Sequence, residues 1–82
     1  MPREAAREII GLAKEKGLKP AAVGKTRLKI GPTKLAISVE NLRDHAVELA
    51  KKRNLVIEWS MVQHRSPTRP RMASLDLRFK RK

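Results

Sequence analysis

Ala5, Ala6, Ile9, Leu12 and Ala13 recur at helical spacing between Pro2 and Lys16, which gathers them on one stripe of an amphipathic helix. Pro2 suits the first turn, where its missing N–H costs nothing, and Gly17 with Pro20 just beyond predicts the stop. Glu4 and Glu8 fall toward the positive end of the helix dipole and Lys14 and Lys16 toward the negative end, which stabilises both termini modestly. Gly11 costs about 1 kcal/mol relative to alanine. It has two readings, a close approach by another element or a tolerated surface position. Leu18 to Gly24 carries weak structure signals and reads as a connector. From Lys25 to Ile30 the period changes to two: Leu28 and Ile30 alternate with Arg27 and Lys29. That predicts a half-buried strand, ended by Gly31-Pro32-Thr33.

Lys34 to Val39 fits either a strand or a helix lead-in. Ser38 is the candidate cap of a second helix with the stripe Val39, Leu42, Ala46, Leu49 and Ala50, and Asn54 is its stop. Leu55 to Val62 and Ala73 to Phe79 are of strand length. Leu75, Leu77 and Phe79 alternate with Ser74, Asp76, Arg78 and Lys80, and Ile57, Trp59 and Met61 oppose Glu58 and Ser60, so each offers one face for burial. Together they predict an antiparallel hairpin. Its loop, Gln63 to Arg71, is about twice the usual two to five residues. It holds three arginines, a histidine, two prolines and no acid, and the prolines stiffen it against further sheet pairing. The expected architecture is a small two-layer α+β domain of order α-β-α-β-β, closing on a basic, long-armed hairpin.

At 82 residues the chain suffices for one domain spanning 1–82. Without cysteine it offers neither disulfides nor thiolate metal sites, and His45 and His64 are too far apart for metal-ligand spacing. His45 has no nucleophile or carboxylate spaced to activate it, and no carboxylate pair, metal cluster or activated nucleophile is evident, so an enzyme is not expected and no cofactor is implied. No apolar run approaches the roughly 20 residues that span a bilayer. Met1-Pro2-Arg3-Glu4 lacks a signal-peptide core, so the expected location is cytoplasmic, with no membrane partner. Gly24-Lys25-Thr26 looks like the end of a phosphate loop, but Lys19 stands where the upstream glycine is required, and a nucleotide site is discarded.

Charge changes the picture most. Twenty Lys and Arg against eight Asp and Glu give a net charge of +12, which suits a polyanionic partner. Residues 25–39 carry four bases and no acid, and residues 63–82 seven bases and one acid, whereas 40–62 balance at four and four. Segregation of this kind marks a binding face rather than a mixed solvated surface. One Trp, one Phe and no Tyr weigh against a base-stacking platform. Trp59, sharing a strand face with Ile57 and Met61, is assigned to core or interface.

The order, with Leu28-Lys29-Ile30-Gly31-Pro32-Thr33-Lys34-Leu35-Ala36-Ile37-Ser38 leading into a helix and Arg71-Met72-Ala73-Ser74-Leu75-Asp76-Leu77 before the closing Lys80-Arg81-Lys82, resembles the Alba family of archaeal chromatin proteins over roughly residues 26 to 82. The resemblance implies a β-α-β-α-β-β fold, nucleic-acid binding that extends to RNA, and a homodimer. The pattern shows no strand before the Pro2 helix, and of the basic turn only Lys34 matches.

The residues themselves point to double-stranded DNA, held by shape and backbone rather than by base readout. Arg65, Arg69 and Arg71 are expected to reach along or into a groove. Lys25, Arg27, Lys29 and Lys34 hold phosphates beneath the sheet, and Arg78, Lys80, Arg81 and Lys82 add contacts. Duplex RNA is compatible on the same grounds. Two further readings are an accessory of the ribosome or polymerase, since the C-terminal domain of bacterial translation initiation factor three has a small layered fold of this kind, and a winged-helix regulator. The latter requires a helix-turn-helix ahead of the hairpin.

Overall fold

The helical stripe of the first segment becomes α1, Pro2–Glu15. It buries Ala5, Ala6, Ile9 and Ala13, three of them alanines that let the helix lie close to the sheet. Three residues, Pro20–Ala22, form β1, and Arg27–Thr33 form β2. The second helix, α2, spans Ala36–Lys52, and the chain ends in β3, Leu55–Ser66, and β4, Arg69–Arg81. The computed structural model describes residues 1–67 and 69–82, and at 65, 66, 69 and 70 the backbone alone.

All strand pairings are antiparallel, in the order β1-β2-β4-β3. Both helices lie on one face. Leu28, Ile30, Ala73, Leu75, Leu77 and Phe79 point from the two central strands into a core completed by Ile9 of α1 and Val39, Leu42 and Ala46 of α2. Each large side chain among them contributes about 1.5–3 kcal/mol by leaving water. Among the described residues the opposite face of the sheet carries no helix.

The order is therefore α-β-β-α-β-β, not α-β-α-β-β. The additional strand sits in the predicted connector, where Pro20, Ala21 and Ala22 pair with Ile30, Lys29 and Leu28. A short strand opening on proline has no apolar signature, and proline is tolerated there because it occupies a sheet edge. Two strands separate α1 from α2, so the helices form no helix-turn-helix, which removes the arrangement a winged-helix regulator requires.

The hairpin loop is also corrected. The strands stay paired through His64↔Met72 and, after a shift in register, Ser66↔Arg69, leaving only positions 67 and 68 between them. The long arm is a ladder, and it lengthens the molecule to 43 Å against 19 Å in each cross-direction. Strand β2 likewise does not end at Ile30. It bulges at Gly31 and continues to Thr33. Gly31 has φ +88°, and a Cβ there would stand 2.5 Å from the Ala73 carbonyl oxygen, so only glycine allows β4 to approach at that point.

Helix α2 begins two residues before the expected cap. Leu35 takes the N-cap position without a side-chain hydrogen bond, its N–H donates to Thr33 Oγ1 at 3.3 Å, and Ser38 lies inside the helix. At its other end Asn54 adopts φ +56°, in accord with its reading as a stop. A Cβ at Gly11 would meet nothing within 4 Å, so it is a surface glycine.

Candidate nucleic-acid interface

Alternation along β2 and β4 puts Leu28, Ile30, Leu75, Leu77 and Phe79 into the core and turns Arg27, Lys29, Asp76, Arg78 and Lys80 onto the helix-free face. The register lines them up in rows: Arg27 beside Arg78, and Arg78 beside Glu58 of β3, with Lys29 beside Asp76 one row on. Four of the predicted site residues thus share one open surface.

Two carboxylates are interleaved with them. Arg27 Nε donates to Asp76 Oδ1 at 2.9 Å and its Nη2 to the other oxygen, a two-pronged contact across the β2–β4 seam. Those hydrogen bonds hold the Asp76 carboxyl below its ordinary range against a partial loss of hydration, helped by the charges of Arg27, Lys29 and Arg78, and they raise the Arg27 guanidinium. Lys80 Nζ lies 2.8 Å from Glu58 Oε1, and that hydrogen bond and charge, with Arg78 beyond, lower Glu58. Both acids stay ionised at neutral pH. Lys29 and Arg78 have no ion-pair partner among the described residues. A polyanion meets two uncommitted bases on this face and competes with carboxylates for the other two.

The remaining predicted residues lie elsewhere. Arg71 turns to the helix side at the root of the arm, where its Nη2 donates to Glu40 Oε1 at 2.8 Å and to Gln63 Oε1 at 2.6 Å, while Gln63 Nε2 donates to the same Glu40 oxygen at 2.8 Å. This cluster ties both arm strands to α2. Lys34 borders a groove at the start of α2 with Leu35, Ile37 and Arg71. The side chains of Arg65 and Arg69, expected to lead the arm, lie outside the described residues. Lys25, Arg81 and Lys82 sit at the opposite end of β4 from the arm.

Two basic residues not singled out in the sequence, Arg3 and Arg7, meet Lys25 and Arg81 there. Their four-residue spacing on an exposed helix face looks like ordinary solvation, and only the fold brings them to the sheet end. Trp59 is on the helix side of edge strand β3 but remains 46% exposed, with the Arg43 guanidinium 4.8 Å from the ring centroid. It belongs to the rim rather than the core. Among the described residues no group of three His, Asp or Glu side chains is placed to hold a metal, and no helix is long and apolar enough to cross a membrane.

Comparison with family models, with curated proteins and with solved structures returns no match for this chain. The site is accordingly read from its own chemistry.

Proposed function

We propose that this protein binds double-stranded DNA through phosphate contacts, holding it against the helix-free face of the sheet and along the β3–β4 arm, in an architectural, chromatin-like role. One observation carries the reading. Each helix has three bases and three acids and is neutral, so the whole excess of +12 lies in the strands and their connections. Within the sheet it concentrates on neighbours β2 and β4, where β4 alone has five bases and one acid.

Lys and Arg on such a surface gain affinity by releasing phosphate counterions, and this needs no base readout. The open face offers Ser60 and Ser74 between its charges and no aromatic ring, which favours a duplex presenting its backbone over a strand presenting its bases. The observed order α-β-β-α-β-β departs from the β-α-β-α-β-β that the Alba resemblance implies, so the architectural part of the proposal rests on the charge distribution and the open sheet face.

The test is a salt titration of the purified protein against random-sequence duplex DNA, duplex RNA and single strands. The expected result is tightest binding to duplex DNA, with log affinity falling linearly in log salt at about 0.9 per phosphate neutralised. Preference for duplex RNA replaces DNA as the ligand. Absence of binding to any of them at low salt overturns the proposal and turns the basic surface toward a protein assembly.

A further inference from the structure

At the end of the sheet farthest from the arm, three pieces of chain enclose an open cleft of about 560 Å³. The first two turns of α1 bring Arg3 and Arg7, the β1–β2 turn brings Lys25 and Thr26, and the last residue of β4 brings Arg81. Backbone contacts fix these walls. The Val23 N–H donates to the Arg27 carbonyl at 2.9 Å, closing the turn, and the Phe79 N–H donates to the Thr26 carbonyl at 2.9 Å, pinning that turn beside β4. Gly24, at φ +81°, supplies the left-handed residue this turn needs. Arg81 Nη2 reaches Met1 Sδ at 3.4 Å, joining the end of β4 to the start of α1.

The charge in this cleft is not balanced in the way it is elsewhere. Six ion pairs occur among the described residues, and none involves Arg3, Arg7, Lys25 or Arg81. Glu8, the acid one helical turn from Glu4, is held at 2.7 Å by Arg53, the residue that caps the end of α2. Glu4 is the one carboxylate lining the cleft, against four cations. Gathering like charges raises the energy of the free protein and stores a favourable field for an incoming anion. Three guanidinium groups suit phosphate oxygens geometrically, and the lysine adds a point charge.

We infer that this cleft is a phosphate-binding site for the backbone of the same nucleic acid, a second anchor at the end of the sheet remote from the arm. The inference rests on the nucleic-acid reading above. The cleft is open to solvent and, at about 560 Å³, larger than one phosphate requires, which leaves room for the backbone on either side of it. It also gives Lys25 and Thr26 a role without a nucleotide loop: side chains from three elements, rather than a run of backbone N–H groups, surround the anion.

The experiment compares two double variants with the wild-type protein on one random-sequence DNA duplex across salt. Arg3→Gln with Arg7→Gln removes two charges from the cleft. Lys14→Gln with Lys16→Gln removes two from the other end of the same helix. Arg3, Arg7 and Lys14 are exposed and Lys16 is half-buried, and thermal melting establishes that both variants are folded. The cleft variant is expected to bind about tenfold or more weakly at 0.1 M salt, with a slope shallower by roughly 1.8, the loss of two phosphate contacts. The control is expected to stay near the wild-type line. If the wild-type protein binds and the two variants are indistinguishable, the cleft is not an anchor and the nucleic-acid reading stands. If the wild-type protein binds no duplex, both fall together.

Discussion

The helices and the sheet share one core and divide the charge between them. The bases on each helix are equalled in number by its acids, while the strands and their connections carry the surplus, within the sheet concentrated on β2 and β4. The helix layer has the composition of an ordinary solvated surface: Arg43 pairs with Asp44, Lys51 with Glu48, and Arg53 just past the end of α2 with Glu8 of α1. The sheet layer is organised by alternation instead. The same period of two that buries Leu75, Leu77 and Phe79 must expose the positions that alternate with them, and of Ser74, Asp76, Arg78 and Lys80 two are bases. A strand at the centre of a sheet is thus both the spine of the core and the floor of the candidate interface.

If the division is correct, damage to the buried side of the helix layer weakens the fold and leaves the ligand contacts alone. Leu42 of α2 is fully buried, and Leu42→Ala is expected to cost about 2–5 kcal/mol, a large share of a small domain's stability. Denaturant unfolding reads the loss. Titration under conditions where the variant remains folded should return a duplex affinity near wild type. A fall in the affinity of the folded fraction breaks the comparison.

The complementary change removes charge and spares the core. Replacing Arg27, Lys29, Arg78 and Lys80 together by Ala is expected to weaken duplex binding by about a hundredfold at 0.1 M salt and to flatten the salt slope by roughly 3 to 4. The same replacement at Lys14, Arg43, Lys51 and Lys52 removes equal charge from the helix layer and should change affinity only slightly. Equal losses in the two sets would reduce binding to net charge alone.

How much of this could be read in advance depended on where burial governs the chain. Both helices, the central strands and the hairpin pairing were legible, because each buries a periodic stripe. Strand β1 was not: Pro20, Ala21 and Ala22 hold their place through pairing with β2 rather than through burial. The arm strands escaped for a similar reason. Past Val62 the ladder continues through Gln63 and His64 without apolar alternation, and two prolines look like a loop. Of the site, the bases on β2 and β4 were legible from the strands that carry them. The partners that restrain them were not, because Asp76 and Glu58 are ordinary exposed-face residues until the register sets them diagonally across from Arg27 and Lys80. Nor was the cleft, whose walls are contributed by residues 3, 7, 25 and 81.

Asp76 gives a finer test, because it is an acid inside the basic layer. Asp76→Asn frees Arg27 for phosphate and removes a repelling charge, so duplex affinity should rise severalfold at neutral pH, with a slightly lower melting point. The pH dependence follows from the lowered native carboxyl. Its contribution to stability is complete above the unfolded-chain value of about 3.9 and is lost as pH falls through the native value. The melting-point gap between wild type and Asp76→Asn should therefore be constant from neutral pH down to mild acid and close below the ordinary aspartate range. A gap that opens toward acid would show that Asp76 is not stabilised by Arg27.

The smallest expected effect is the most local. Trp59 lies on the helix side at the sheet's β3 edge, half exposed under Arg43, so a duplex on the opposite face does not touch it. Saturating duplex should leave its emission close to that of the free protein. Arg43→Ala, which removes a cation–π contact of about 0.5–1 kcal/mol, should shift the free protein's emission and leave duplex affinity nearly unchanged. Strong quenching by duplex that disappears in Arg43→Ala would place the ligand on the helix side and reverse the assignment of the two layers.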